Sequence, residues 1–341
     1  MAKLSTKKLL YFLCLTFTLA GLVNILAIFQ VRAEKRPSCP NERKSRGRQL
    51  DSVHRENESI ALGFKPLNLE YENEESKPDE WNNTGAIEFL KTYNKELNKN
   101  VQPISADPYN VSTITEWWQA AAMIHWYFNS SLRYTCPEPL KKFADYLLCQ
   151  VAERTVRQSC VVYSFGVKRD FWFDDAGGWT GCEVWSFDPG LNLTDHLRGK
   201  RVHFYNLGLS TTNTDIFLRT NQAAKKWKMR TFRAIQQMIG HKNQPLDIVK
   251  LNIGGEEWSV LDYLMENDLL KSMRYLMVHF HLSPSWPAKE NYVNSFKTVT
   301  RLRQLGFREY HSRVDSVILD AKNFTLRATV LYLNAKFNWF F

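Results

Sequence analysis

The segment Pro245–Leu261, which reads PLDIVKLNIGGEEWSVL, contains the pattern that decides the fold. Its first half, Leu246–Ile253, is short, apolar and rich in β-branched residues, and a proline and two glycines bound it, so it predicts a buried strand. The glycines permit a sharp turn. Glu256 and Glu257 then open a predicted helix, where the helix dipole favours acidic side chains. A strand, a turn and a helix form half of a βαβ unit, and ligands of such folds bind at the carboxyl ends of the strands.

The same alternation continues on both sides of this segment. The predicted strands are Cys160–Phe165, Glu183–Phe187, Val202–Leu209, Leu246–Ile253, Arg274–Leu282, Val314–Leu319 and Thr325–Leu333. The predicted helices are Thr115–Phe128, Leu140–Arg157, Met229–Ile239 and Tyr292–Leu305, and Phe171–Trp179 is interpreted as a short connector. Strands that alternate with helices predict a mostly parallel, doubly wound α/β sheet. The last two strands have no helix between them, which predicts an antiparallel hairpin at one edge.

Three separated blocks carry a resemblance to a known family. They are Cys160–Gly166 (CVVYSFG), Ser186–Pro189 (SFDP) and Asn252–Trp258 (NIGGEEW). In this order, over roughly residues 110–341, they resemble FkbM-type methyltransferases and, more closely, the methyltransferase-like single-pass membrane proteins of animals. The resemblance implies a class I, Rossmann-like sheet of seven strands with the last one reversed, and S-adenosylmethionine as cofactor. This chain departs from the pattern at Asn252, where the family has Asp, and at Gly254, where it has Glu.

Four residues are candidates for contact with that cofactor. Gly166 ends the first strand of the domain, where a glycine turn lets a ligand approach the backbone. Asp188 follows the second strand, where a carboxylate holds a ribose diol; an ordinary turn aspartate is the alternative. Asp174 is a candidate for the methionine ammonium, with a helix-opening acid as the alternative. Asn252 ends the strand that defines the fold.

His279 and His281 are the candidate catalytic residues. Both lie in the fifth predicted strand, and their spacing of two places them on one face. Histidines there can act as a general base or bind a metal, but two ligands are too few to predict a metal site, and structural packing is the alternative. The family pattern has an acid followed by His, so His281 matches it and His279 departs from it. Glu257 is a candidate for substrate contact.

The missing acids leave two functions open. Methyl transfer needs mainly in-line positioning of a reactive sulfonium, so the loss of acids at 252, 254 and 279 need not abolish it. We therefore expect O-methylation of a glycan or another small acceptor. The alternative is a catalytically inactive domain that binds a glycan or a protein partner. A lumenal glycosyltransferase is disfavoured because the chain contains no Asp-x-Asp.

The amino-terminal third predicts membrane attachment. Leu9–Val31 is an uncharged apolar run long enough to span a bilayer, with a cleaved signal peptide as the alternative. We expect a cytoplasmic tail over residues 1–8, a signal anchor over 9–31, a stem over 32–109 and the methyltransferase-like domain over 110–341. In the polar stem, Arg43 and Arg46 fit a minimal convertase site or a solvated basic run. More than half of the net charge of +10 falls in the first 60 residues, which favours a membrane surface over nucleic acid.

Glycosylation sequons indicate which side of the membrane holds the domain. The sequons begin at Asn57, Asn82, Asn110, Asn129, Asn192 and Asn323. All follow the predicted span, so we expect a type II protein of the endoplasmic reticulum or Golgi with a lumenal domain. Five cysteines also follow the span, so at most two intrachain disulfides are expected among them.

Overall fold

The computed structural model describes residues 83–98, 110–129, 134–150, 160–216, 226–284, 286–319 and 324–337. Its helices are α1 (Asn83–Tyr93), α2 (Trp117–Asn129), α3 (Trp172–Trp179), α4 (Phe232–Met238), α5 (Glu257–Glu266) and α6 (Tyr292–Gln304). Its first strands are β1 (Lys141–Phe143), β2 (Tyr146–Leu148), β3 (Val161–Phe165), β4 (Glu183–Phe187), β5 (His196–Leu197) and β6 (Val202–Tyr205). The remaining strands are β7 (Gly208–Leu209), β8 (Met229–Arg230), β9 (Leu246–Leu251), β10 (Met273–Leu282), β11 (Phe307–Leu319) and β12 (Phe324–Asn334).

The central sheet has the strand order β11-β12-β10-β9-β3-β4-β6-β5. Strands β6, β4, β3, β9 and β10 run parallel to one another, whereas β12 is antiparallel to both β10 and β11. The predicted doubly wound sheet and its antiparallel edge hairpin are therefore confirmed. The sheet has eight strands rather than the expected seven, because the two-residue strand β5 adds an antiparallel edge beside β6.

Both faces of the parallel strands are covered, which is why β3 and β9 are buried almost throughout. One face packs against helices α1, α2, α4, α5 and α6 in the main core. The other face packs against helix α3 and the β1–β2 hairpin. The helix predicted over Leu140–Arg157 is wrong for residues 140–150, because the β1–β2 hairpin lies there. Residues 151–157 lie outside the described residues.

Tertiary contacts explain the hairpin. Its turn holds Ala144 at a φ of 51°, which a helix does not allow. The hydroxyl of Tyr275 donates to the carbonyl of Cys149 at 2.6 Å, and that of Tyr310 donates to the carbonyl of Leu147 at 3.0 Å. These partners lie more than a hundred residues away, so local periodicity carries no sign of them. The stretch Phe171–Trp179, expected to be a connector, forms helix α3.

The packed unit begins earlier than residue 110. Ala86, Leu90 and Tyr93 of helix α1 are buried in the main core, so this part of the predicted stem belongs to the domain. The predicted tail, the predicted span over residues 9–31 and the stem before residue 83 lie outside the described residues. Within the described part of the chain, no helix has the length and apolar character to cross a membrane.

Two disulfides form, Cys136–Cys149 and Cys160–Cys182. The first closes the segment that carries the hairpin, and the second joins the residue before β3 to the residue before β4. The number agrees with the expected maximum of two. Cys14 and Cys39 lie outside the described residues.

Candidate active site

A cavity of about 220 Å³ opens at the carboxyl ends of β3, β4 and β9. Its walls are formed by Gly166, Lys168, Phe187, Asp188, Pro189, Gly208, Leu209, Trp227, Met229, Asn252, Ile253, Gly254 and Glu256. Three of the four predicted cofactor residues, Gly166, Asp188 and Asn252, are therefore brought together. The strand-end placement follows from the fold, because parallel strands end at the same edge of a sheet.

Gly166 allows two strand ends to meet at the floor of the cavity. Its φ is +77°, and a Cβ placed on it would lie 1.9 Å from the carbonyl oxygen of Asn252. The backbone N–H of Asn252 donates to the carbonyl of Phe165 at 3.0 Å. Both the backbone conformation and the close approach therefore require glycine at this position.

Asp188 is held rigidly at the tip of β4. Its Oδ2 accepts the N–H of Lys168 at 2.6 Å, and its Oδ1 accepts the N–H of Gly190 at 2.7 Å. The residue is 7% exposed. A carboxylate has about four acceptor positions, so two backbone donors leave capacity for two hydroxyls of a ligand. The backbone bonds fix the direction in which those positions point.

Asn252 provides an unsatisfied acceptor. Its Oδ1 is buried and has no hydrogen-bond partner among the described residues. A buried amide oxygen without a partner costs free energy of about 1–3 kcal/mol unless a ligand or water satisfies it. The orphaned oxygen therefore fits a cavity that binds a hydrogen-bond donor.

The apolar wall of the cavity was missed in the sequence. Leu209, Trp227 and Met229 line it, and Leu209 and Met229 belong to the small sheet formed by β7 and β8. Gly208 permits this packing, since a Cβ there would lie 2.6 Å from Sδ of Met229. These two strands have two residues each, so they show no periodicity that a sequence pattern detects.

Glu257 is hydrogen-bonded to the turn beside the cavity. It is fully buried. Its Oε1 accepts the N–H of Ile253 at 2.7 Å, and its Oε2 accepts the N–H of Gly255 at 2.6 Å. The same Oε1 lies 3.0 Å from Nδ1 of His281. The carboxylate predicted to contact substrate is thus bonded to two backbone amides and a histidine.

His281 is oriented by that carboxylate. Nδ1 donates to Glu257, so Nε2 is the ring nitrogen that remains an acceptor in the neutral imidazole. The side chain is 19% exposed. The carbonyl of His281 also accepts the indole N–H of Trp258 at 2.8 Å. A carboxylate behind an imidazole is the arrangement that positions a general base and stabilises its protonated form.

His279 is enclosed in a different network and does not fit the predicted catalytic role. Thr329 donates its hydroxyl to Asp315 at 2.8 Å, so its oxygen accepts Nδ1–H of His279 at 3.2 Å. Nε2 then accepts the hydroxyl of Tyr146 at 2.5 Å. Burial lowers the pKa of His279 to about 3, and the positive charge of Lys250 adds to this. Both ring nitrogens are engaged within the protein.

Asp174 is not among the residues that line the cavity. It is fully buried, and its Oδ1 accepts the hydroxyl of Ser186 at 2.5 Å. Burial raises its pKa, while the buried Lys250 opposes that shift. The ammonium of Lys250 lies 3.4 Å from Oγ of Ser164. Asp174 therefore contacts the sheet, and the cofactor role predicted for it does not fit this position.

The sequons that the structure describes are accessible. Asn110, Asn129 and Asn192 are all exposed. The side-chain oxygen of Asn110 accepts the N–H and the hydroxyl of Ser112. Asn57, Asn82 and Asn323 lie outside the described residues.

Comparisons with known proteins agree with this architecture. A family model described as a methyltransferase domain matches residues 77–325. The chain is 26% identical to the human protein "Probable methyltransferase-like protein 24" over 174 residues, which cover 48% of this chain and 46% of that protein. The rat protein of the same name is 26% identical over 175 residues, with the same coverage. The chain thus spans about half the length of the curated relatives it matches.

A solved structure entitled "delta-N METTL16 MTase domain" matches with a TM-score of 0.29 and 8% identity, and covers 55% of this chain and 76% of that one. A likeness at this level carries no argument about the site. The family match covers most of the chain, including every strand of the parallel sheet. From this match, the chain belongs to the methyltransferase domain family.

Proposed function

We propose that this protein is an S-adenosylmethionine-dependent methyltransferase whose cofactor occupies the cavity at the carboxyl ends of β3, β4 and β9. The observation that carries the proposal is the joining, in one cavity, of a rigid carboxylate, an orphaned amide oxygen and an apolar wall. Asp188 accepts the ribose hydroxyls, Asn252 accepts a donor of the cofactor, and Trp227 and Met229 pack against the adenine. The cofactor supplies an electrophilic methyl group on a cationic sulfur.

His281 acts as the general base in this proposal. Its Nε2 takes the proton of an acceptor hydroxyl as the oxygen becomes the nucleophile, and Glu257 stabilises the imidazolium through Nδ1–H. The turn Asn252–Gly255 connects this base to the cofactor cavity, because Glu257 binds two backbone amides of the turn while Asn252 lines the cavity. An oxygen acceptor follows from this chemistry, since a hydroxyl must lose a proton when it is methylated.

We further propose a glycan or other lumenal acceptor and a single-pass, type II position in the endoplasmic reticulum or Golgi. The support is chemical: two disulfides and three exposed sequons suit an oxidising, glycosylating compartment. The apolar run Leu9–Val31 supplies the proposed membrane anchor.

One observation favours a second candidate, a catalytically inactive domain that binds a glycan or protein partner. Asn252 stands at a position where the resembling family has an acid. The carboxylates among the residues that line the cavity are Asp188 and Glu256. The inactive form keeps the fold and the cavity but lacks turnover.

Methyl transfer separates the two candidates. The full chain is incubated with S-adenosylmethionine labelled in the methyl group and with oligosaccharides as acceptors, beside His281→Asn and the control His196→Asn, which alters an exposed histidine on β5. The proposal expects transfer by the parent and the control, and a reduction of about 10²–10⁴-fold for His281→Asn. Transfer that is equal in all three proteins contradicts the assigned base. A parent that binds the cofactor but methylates no acceptor supports the inactive candidate.

A further inference from the structure

Helix α3 carries an exposed pair of tryptophans. Trp172 and Trp179 are seven residues apart, which places them on one side of the helix, and they are 43% and 73% exposed. Their ring centroids lie 5.6 Å apart at an interplanar angle of 70°. Tryptophan is buried on average, so two exposed rings in contact mark a surface that binds something.

The acids around this pair are already engaged. The indole N–H of Trp172 donates to Asp145 at 3.2 Å, and its backbone N–H donates to Asp170 at 3.0 Å. Asp175, on the same side of the helix, accepts two bonds of 2.9 Å from the guanidinium of Arg198. These contacts hold Trp172 in place and neutralise the charge of Asp175.

Five further basic side chains lie around the pair. Exposed cations lie on strand β1, which packs against α3, in the loop before α3, and in the turn before β6: Lys141, Lys142, Lys168, Arg169 and Lys200. None of these five side chains pairs with a carboxylate in the part of the chain that the structure describes. These five cations outnumber the carboxylates Asp145 and Asp170, which accept only neutral N–H groups of Trp172, so the surface around the two rings is net positive and attracts an anion.

We propose that this surface, the α3 platform formed by Trp172, Trp179 and these cations, binds an anionic polysaccharide. The apolar faces of sugar rings stack on indole rings, while sulfate or carboxylate groups pair with the lysines and Arg169. Lys168 also lines the cofactor cavity, so a chain bound along α3 leads to the reaction site. The inference rests on the proposed function, because it assigns the acceptor class.

The platform fits a polysaccharide better than a bilayer. The ion pair Asp175–Arg198 lies between the two tryptophans on the helix surface, and insertion into lipid would remove it from water. Sugar hydroxyls can instead hydrogen-bond to that pair. The two rings also meet at a steep angle, which suits separate sugar units rather than a flat apolar layer.

The test measures binding of the full chain to heparin and to chemically desulfated heparin at several salt concentrations. Three proteins are compared with the parent: Trp172→Ala/Trp179→Ala, Lys141→Glu/Lys142→Glu, and the control Ile318→Ala/Lys297→Glu on β11 and α6. We expect tight, salt-dependent binding of heparin alone by the parent and the control. Each platform variant should bind at least ten times more weakly. Melting temperatures establish that each variant is folded.

Three results would overturn the inference: equal binding of desulfated heparin, unchanged binding by the tryptophan variant, or stronger binding of the parent to phosphatidylserine vesicles than to heparin. Titration with S-adenosylhomocysteine on the same variants separates this inference from the proposed function. A parent that binds the polysaccharide but not the cofactor refutes the methyltransferase proposal alone. A parent that binds the cofactor but not the polysaccharide refutes the platform alone.

Discussion

His279 and His281 show how neighbours decide what a residue does. Both come from one strand, and period-two alternation places them on one face. Glu257 accepts Nδ1–H of His281 and leaves Nε2 as the acceptor of the neutral ring, whereas Tyr146 and Thr329 occupy both nitrogens of His279. These hydrogen-bond partners come from distant parts of the chain. The sequence therefore predicted that the two histidines share a face, but not that their surroundings differ.

The buried, neutral His279 makes stability depend on pH. In the unfolded chain His279 takes up a proton near pH 6.5, but in the folded chain its pKa is lowered by burial to about 3. The unfolded state therefore binds more protons between these values, and the unfolding free energy falls as pH decreases through this window. We expect His279 to contribute a loss of about 2 kcal/mol between pH 7 and pH 5.

Urea denaturation of the parent and of His279→Gln at these two pH values measures that contribution. The variant should be less stable at pH 7, because it disturbs a buried network, but its stability should change less with pH. An identical pH dependence in both proteins would show that His279 is protonated equally in the folded and unfolded chains.

At the scale of elements, the strand–turn–helix unit was predictable because its pattern is local. β9 ends at Leu251 and α5 begins at Glu257, close to the expected bounds. The β1–β2 hairpin and the β7–β8 wall were not predictable, since a disulfide, tyrosine bonds from β10 and β11, and very short strands define them. The cavity residues at the ends of long strands were therefore predicted from the sequence, whereas those on the short strands β7 and β8 were not.

Trp258 anchors helix α5 to the sheet. It is 4% exposed, its ring lies 4.6 Å from that of Phe280, and its indole N–H is bonded to His281. We expect Trp258→Ala to reduce the free energy of unfolding by about 3–5 kcal/mol. The matched control Trp179→Ala removes an exposed ring and should change it by less than about 0.5 kcal/mol. Thermal melting compares them, and equal losses would contradict the packing described for α5.

Substitutions in the turn between β9 and α5 can test the effect of the two acids that the resembling family has there and this chain lacks. Asn252→Asp places a carboxylate where a buried oxygen lacks a partner, and Gly254→Glu places a side chain at a φ of +68°. The second change should cost about 1–2 kcal/mol of stability because of its left-handed backbone. The double variant should therefore melt below the parent but gain a larger upward shift with S-adenosylmethionine. A double variant without such a gain would mean that the acids do not act on the cofactor.

At the scale of the whole molecule, the domain extends from helix α1 to strand β12, and the three sequons within the described residues lie on its surface. Asn110, Asn129 and Asn192 are exposed. If the domain is lumenal, the protein from mammalian cells should lose apparent mass on treatment with peptide:N-glycosidase. Replacing these three asparagines by Gln should reduce the shift. An unchanged mobility of the parent after treatment would contradict the proposed topology.

The most direct test of the cofactor site is isothermal titration of the full chain with S-adenosylmethionine, beside Asp188→Ala and the control Asp195→Ala. Like Asp188, Asp195 is an aspartate that accepts a backbone N–H, here that of Asn206, but it does not line the cavity. We expect one site in the parent and the control, and a loss of about 1.5–3 kcal/mol of binding free energy for Asp188→Ala. No binding by the parent, or equal affinity in all three folded proteins, would contradict the cofactor site proposed at the end of β4.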